Sequence, residues 1–323
     1  MERFVVGTGR CGSTLLARML AEHRDVVAIH ELLNLLDHGR RFRLGLVAGA
    51  ELADLLAQPQ ETVNAVLARG YTAPEVVYPF GTAGMRYDIG DATPAAVLST
   101  LPPLTADPDR LFDDLIAFAR SQPDQTMAAH YQDVFSWLAV SAGGSIWVER
   151  SGASIDYLVE LVERFPDARF VHLHRDGHEA ALSMRDYPFM RLAMAVLYGL
   201  FPDLDEDAAI RHVLETPPPL RAAGRFWCDS LLRGYRALGR IRPEQYLAVR
   251  FEDLVTDPHP QLDRIAGFFE LPTDPAFVDR AAAIAHGLPP LRMPTLSADE
   301  QEELRRACRP GQILLGRGDG AAE

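Results

Sequence analysis

Short apolar runs rich in β-branched residues alternate with longer segments of helical periodicity along the chain. Five such runs predict buried strands, at residues 4–6, 26–29, 146–148, 169–173 and 246–250. Strands that alternate with helices form parallel sheets covered on both faces, with ligands at the carboxyl ends of the strands. The pattern therefore predicts an α/β fold with a central parallel sheet flanked by helices.

Two stretches between the strands show helical patterns without strand signals. The first covers about residues 32–144 and the second about residues 184–238, and both contain turn signals such as LPPL and TPPPL. We interpret them as helical insertions over the sheet. With 323 residues and no long linker or internal repeat, the chain is predicted to form a single domain over residues 1–323.

Charge and composition exclude several classes of function. The 32 basic and 45 acidic residues give a net charge of -13, which argues against a nucleic-acid-binding surface. The chain has no lysine, so amine nucleophiles and Schiff-base chemistry are excluded and every fixed cation is an arginine. Three cysteines and no apolar leader or membrane-length segment predict a cytoplasmic protein without an integral membrane segment. The sequence does not decide between a monomer and a homodimer.

The first strand runs into a glycine-rich turn and an amphipathic helix, in the segment FVVGTGRCGSTLLARML. Such a turn presents backbone N–H groups and a helix N-terminus to an anion. Gly7, Gly9 and Gly12 have the GxGxxG spacing, and Glu31 stands where a dinucleotide-binding protein has its ribose-binding carboxylate. An NAD(P)-dependent oxidoreductase is therefore one hypothesis. A triphosphate-binding loop is not favoured, because Ser13 replaces its lysine.

A second loop carries an arginine, followed eight residues later by a serine. In FPDARFVHLHRDGHEAALSM, Arg175 ends a predicted strand and Ser183 follows eight residues later on a predicted helix. Eight residues are about two helical turns, so the two side chains can face the same side and bracket one phosphate.

The two loops together resemble the donor site of the sulfotransferases. TGRCGSTLL is similar to the family's 5′-phosphosulfate loop, with Arg10, Gly12, Ser13 and Thr14 in its pattern, and Arg175 with Ser183 resembles its 3′-phosphate site. The segments SIWVERSGASIDYLVELVERFPDA, YLAVRFEDLVTDP and GQILLGRGDG are also similar to family segments, although Arg150 and Gly152 replace the usual lysine and proline.

This resemblance implies a P-loop-type, bacterial sulfotransferase that uses 3′-phosphoadenosine 5′-phosphosulfate (PAPS), releases PAP and needs no metal. The acceptor would be a hydroxyl, or as second choice an amine, of a small molecule, lipid or glycan held by the helical insertions. A PAPS-fold binding protein without activity is the further alternative. The implied donor-binding residues are Arg10, Cys11, Gly12, Ser13, Thr14, Arg175, Ser183, Arg317 and Gly318.

The reaction also needs a base for the acceptor proton. Glu31 follows the second strand at the distance from the first loop at which the family's carboxylate base lies. Its neighbour His30 is the second candidate, since alternation along an extended segment points the two in opposite directions. His130 is the third, by resemblance to members that use a histidine from the middle of the chain. Arg10 is the expected partner of the oxygen that leaves with the donor product.

Overall fold

The computed structural model describes residues 1–317, and all five predicted strands are confirmed in it. Two further short strands lie between the second and the third of them. In chain order the strands are β1 (Arg3–Val6), β2 (Val26–His30), β3 (Leu46–Val47), β4 (Gln125–Thr126), β5 (Ile146–Arg150), β6 (Arg169–His174) and β7 (Tyr246–Arg250).

The five predicted strands form one parallel sheet in the order β2-β5-β1-β6-β7. Central Phe4 of β1 pairs with Glu149 of β5 on one side and with Phe170 of β6 on the other. His30 of β2 pairs with Arg150 of β5. All five strands therefore end at the same edge of the sheet, which is where ligands bind in open α/β proteins. The predicted α/β class with a central parallel sheet is confirmed.

Helices cover both faces of the sheet. They are α1 (Ser13–Leu20), α2 (Leu32–Leu35), α3 (Gly49–Ala57), α4 (Glu61–Ala68), α5 (Pro108–Ser121), α6 (Met127–Ser141), α7 (Leu158–Arg164), α8 (Gly177–Arg185), α9 (Pro188–Tyr198), α10 (Glu206–Glu215), α11 (Leu220–Leu238), α12 (Phe251–Thr256), α13 (Pro258–Phe268), α14 (Phe277–Ala282) and α15 (Ala298–Leu314). Within residues 1–317, no helix combines the length and apolar character needed to cross a membrane.

Alternate residues of the strands build two separate cores. Phe4 packs against Trp147, Phe165 and Phe170, with ring centroids 5.1–5.7 Å apart, on the face covered by α3, α5, α6 and α7. Its neighbour Val5 belongs to the opposite core, beneath α1, α12, α13 and α14. Burial of each large apolar side chain stabilises the fold by roughly 1.5–3 kcal/mol.

The insertions are mainly helical, as predicted. Residues 32–144 contain α2 to α6, a π-helical turn at Ala96–Thr100 and the antiparallel pair of β3 and β4, which the sequence did not predict. Residues 184–238 contain α9, α10 and α11. The C-terminal helix α15 packs along α11 and α8, with the Trp227 ring against Gly177 and Gly311. This packing brings the last described residues to the carboxyl edge of the sheet.

Candidate active site

The loop between β1 and α1 is a strained, tightly packed turn. Gly9, Arg10 and Gly12 all have positive φ, at 76°, 52° and 94°. A side chain at Gly12 would place its Cβ 2.3 Å from the Phe251 ring, so only glycine fits there. The Cys11 thiol is buried under the loop, and this burial raises its pKa. Any contact of Cys11 with a ligand would therefore involve its backbone.

The first turn of α1 contributes hydroxyls and backbone N–H groups at the same place. Gly12 is the N-cap, and no side chain there caps the first turn. Ser13 is buried and Thr14 is exposed, so the two hydroxyls stand at different depths of the loop. Free N–H groups at a helix start attract anions. The described loop thus has the chemistry of a phosphate site.

Glu31 follows β2 in a left-handed conformation, with φ at 57°, and is 4% exposed. The backbone N–H of Gly152 donates to both carboxylate oxygens, at 3.0 and 2.9 Å. Arg150 Nη1 donates to Oε1, and Asn34 Nδ2 lies 3.5 Å from Oε2. Burial raises the pKa of Glu31, and Arg150 and the Gly152 N–H oppose this rise. A carboxyl with a raised pKa is suited to accept a proton near neutral pH.

Arg150 connects Glu31 to the first loop. It lies at the end of β5, is 2% exposed, and donates through Nη1 to Glu31 and through Nη2 to the Thr14 hydroxyl. We did not predict this contact, although the WVERS segment carries Arg150 at the position of a family lysine. One guanidinium thus joins the candidate base to the candidate phosphate loop.

A second buried carboxylate lies under this network. Glu149 is fully buried, and its Oε1 accepts a hydrogen bond from the Ser151 hydroxyl. That hydroxyl also accepts from the Asn34 N–H at 3.3 Å. Within residues 1–317, Glu149 Oε2 has no hydrogen-bond partner. Burial raises the pKa of Glu149 to about 8, while the Ser151 hydrogen bond lowers it.

Arg10 and Ser183 are brought together by the fold. The Arg10 Nε donates to the Ser183 hydroxyl at 3.1 Å, although 173 residues separate them. The Arg10 guanidinium also lies 4.8 Å from the Tyr187 ring centroid and 3.4 Å from Glu75 Oε1. Ser183 on α8, the helix that follows Arg175, therefore also contacts the first loop.

Arg175 lies at the end of β6, with its guanidinium 5.0 Å from the Phe251 ring centroid. This is the same ring that packs against Gly12. In the part of the chain that the structure describes, Arg175 has neither an ion pair nor a hydrogen bond from its side chain. Burial lowers its pKa, and the carboxylates of Glu179 and Glu252 oppose this effect without forming an ion pair. Arg175 is thus available to an anionic ligand.

Arg317 lies just beyond α15 and also approaches the carboxyl edge. Its Nη2 donates to Glu252 Oε2 at 2.7 Å and lies 3.3 Å from His174 Nδ1. Its Nε is buried and has no partner among residues 1–317. Glu252 also accepts the Asp176 N–H at 2.8 Å, so it ties Arg317 to the Arg175 loop. Gly318, the other residue predicted in this segment, lies outside the described residues.

The two histidine candidates are placed differently. His30 lies beside Glu31, and burial, with Arg150 as a second cause, lowers its pKa to about 3. A histidine with that pKa is neutral and a weak base. His130 is fully buried on α6, where its ring nitrogens contact Val47 O at 2.8 Å and Gln125 Nε2 at 3.2 Å. The structure does not bring His130 into contact with the loops described above.

Fold and site together define an α/β protein with a glycine-rich anion loop, several arginines and a buried carboxylate at one sheet edge. The sequence model described as "Sulfotransferase family" matches residues 99–275, more than half of the chain. The chain belongs to the sulfotransferase family and is a sulfotransferase enzyme. Membership of this family decides against the hypothesis of an NAD(P)-dependent oxidoreductase. The matched segment includes Arg150, Arg175 and Ser183, whereas the first loop and Glu31 precede it.

The chain is also similar to solved structures, three of which are described as sulfotransferases. The chain is similar to the sulfotransferase domain from the curacin biosynthetic pathway, with 18% identity, 94% of this chain and 96% of that chain covered, and a TM-score of 0.47. It is similar to sulfotransferase STF9 from Mycobacterium avium, with 19% identity, coverages of 97% and 76%, and a TM-score of 0.46. Mouse sulfotransferase SULT7A1, complexed with PAP, has 11% identity, coverages of 97% and 85%, and a TM-score of 0.42. A search of curated proteins found no match.

Proposed function

We propose that this sulfotransferase transfers the sulfuryl group of PAPS directly to a hydroxyl of a small-molecule, lipid or glycan acceptor, with Glu31 as general base. The observation that carries the proposal is the Glu31–Arg150–Thr14 network, which joins a buried carboxylate to the anion loop. An amine acceptor is the second choice.

The described residues suit a nucleotide with anionic groups at two positions. The first loop offers backbone N–H groups, Ser13 and Thr14 for the 5′-phosphate. Arg175 has no carboxylate partner within residues 1–317, and Arg317 has a buried Nε without a partner there. These two arginines, with the Ser183 hydroxyl, are proposed to hold the 3′-phosphate. One guanidinium can donate two parallel hydrogen bonds to two oxygens of the same phosphate.

The transfer breaks the sulfur–oxygen bond of the bound donor and forms a new one to the acceptor oxygen. Glu31 takes the proton of the acceptor hydroxyl, so that negative charge does not build up on the attacking oxygen. Arg10 stabilises the charge that develops on the bridging oxygen as it leaves with PAP. Arg150 holds the Glu31 carboxylate in place beside the loop. The released proton leaves from Glu31 after the sulfated product departs.

The first test is calorimetric titration of the purified protein with PAP. We expect saturable binding, weakened by about tenfold to a hundredfold in Arg175→Ala, because a charge-assisted hydrogen bond contributes about 1.5–3 kcal/mol. Arg264→Ala is the matched control, since Arg264 is exposed on α13 and pairs with Gln261. The same titration with NADH and NADPH should show no binding. Absence of PAP binding to the intact protein would overturn the proposal.

The second test separates transfer from mere binding. Glu31→Gln keeps the shape of the side chain but cannot accept the proton, so conversion of PAPS to PAP with a panel of hydroxyl acceptors should fall by at least about a hundredfold. PAP affinity should stay within a few-fold of that of the unaltered enzyme. Unchanged turnover in Glu31→Gln would remove Glu31 from the proposed base role.

A further inference from the structure

A carboxylate of the first insertion reaches the catalytic arginine. Glu75 Oε1 lies 3.4 Å from Arg10 Nη1, and the two side chains are 22% and 29% exposed. The hydroxyl of Tyr187 donates to Glu75 Oε2 at 2.5 Å, while the Tyr187 ring lies under the Arg10 guanidinium. Arg10, Glu75 and Tyr187 therefore form one partly buried cluster from three separate parts of the chain.

The position of Glu75 is fixed by its own segment. The Val76 N–H donates to Ala73 O at 3.0 Å and closes a turn around Glu75. The N–H groups of Val77 and Tyr78 both donate to Leu98 O, which anchors the segment to the insertion. The carboxylate is thus presented to Arg10 by a hydrogen-bonded turn.

The negative charge of Glu75 opposes the binding of an anionic donor at Arg10. Glu75 contacts Arg10, which lies between Gly9 and Gly12 on the first loop, so Glu75 stands beside the proposed donor site. The proposed function places Arg10 against a donor that carries several negative charges. Since a guanidinium cannot serve both anions with the same N–H groups, Glu75 and the donor compete for it.

We propose that Glu75 is a further functional residue of the transfer site, which holds Arg10 while the donor is absent and releases it when the donor binds. Tyr187 retains the carboxylate after the release, through the hydrogen bond to Oε2. Glu75 thereby sets the donor affinity without contacting the adenosine. This inference rests on the proposed function, because the competing anion is the donor.

The test is calorimetric titration with PAP at low ionic strength. Glu75→Gln removes the charge and keeps the shape, and we expect it to bind PAP about threefold to tenfold more tightly, as for loss of a partly exposed ion pair and a like-charge neighbour. The gain should shrink in 0.5 M NaCl, because salt screens this competition. Glu51→Gln, which removes an exposed carboxylate paired with Arg43 in the same insertion, should leave the affinity unchanged.

The sign of the effect distinguishes this role from a structural one. A side chain that only supports the fold would, when altered, weaken PAP binding and lower the melting temperature. Tyr187→Phe is the second variant: it keeps the ring over Arg10 but removes the hydrogen bond that retains the released Glu75 carboxylate. PAP binding should therefore weaken by about threefold in Tyr187→Phe, and this loss should disappear when Glu75→Gln is added. Equal or weaker PAP binding by folded Glu75→Gln, with normal binding by the unaltered enzyme, would overturn this inference alone. Absence of PAP binding in every variant would overturn it together with the proposed function.

Discussion

Glu149→Gln should abolish a loss of folding stability that the unaltered protein shows as the pH rises. Glu149 is fully buried on β5, with Oε1 bonded to Ser151 and Oε2 without a partner in the described chain. A glutamine keeps the carbonyl oxygen that accepts from Ser151, and it cannot ionise. The substitution therefore isolates the cost of placing a negative charge at this point.

The size of the effect follows from the pKa of Glu149, which burial raises from 4.5 to about 8. Between these values the folded carboxyl keeps a proton that the unfolded one has lost, so raising the pH favours the unfolded state. The cost is about 1.4 kcal/mol for each step of one in pH, or about 2.7 kcal/mol from pH 5.5 to pH 7.5. Below pH 4.5 and above pH 8 this contribution becomes constant.

The assay is urea unfolding of both proteins at pH 5.5, 6.5 and 7.5, with Glu61→Gln on the exposed surface of α4 as control. The free energy of unfolding of Glu149→Gln, relative to the unaltered protein, should rise across this range by about 2.7 kcal/mol. The control should show no such trend. A difference that stays constant to within about 0.5 kcal/mol would mean that Glu149 ionises like an exposed glutamate, and would refute the reasoning.

Three further substitutions test the site. Gly12→Ala should destabilise the protein by about 2–5 kcal/mol in urea unfolding, through left-handed strain and a clash, whereas Gly143→Ala, with φ of 82° in open space, should cost only about 1–2 kcal/mol. Arg150→Met should cost about 3–5 kcal/mol, because it leaves the Glu31 carboxylate buried without its cation, and part of this should return when Glu31→Gln is added. Arg317→Ala should weaken PAP binding in calorimetry by about tenfold, and an unchanged affinity would remove it from the donor site.

The five main strands were predictable because each is a short apolar run, and strands buried on both faces carry this signal along their whole length. The strand order was not predictable from these runs. The contact between Arg150 and Glu31 depends on it, since β5 inserts between β2 and β1 although 119 residues separate the two side chains. A pattern read along the chain contains no information on which strands become neighbours.

The two small strands and Glu75 escaped prediction for a different reason. β3 and β4 have two residues each, too few for any period to appear. Glu75 lies in a turn of the insertion, and nothing in its neighbouring letters distinguishes it from a solvated carboxylate. Its importance comes from Arg10 and Tyr187, which reach it through tertiary folding. By contrast, Glu31 could be singled out because it directly follows a strand.

The Phe251 ring lies between the two loops of the proposed donor site. The ring fills the space against Gly12 on the first loop and lies beneath the guanidinium of Arg175 on the second. The same side chain therefore contacts both loops that are proposed to hold the phosphates. Under the proposed function, one side chain therefore supports both ends of the bound nucleotide, and a change of Phe251 would disturb both ends at once.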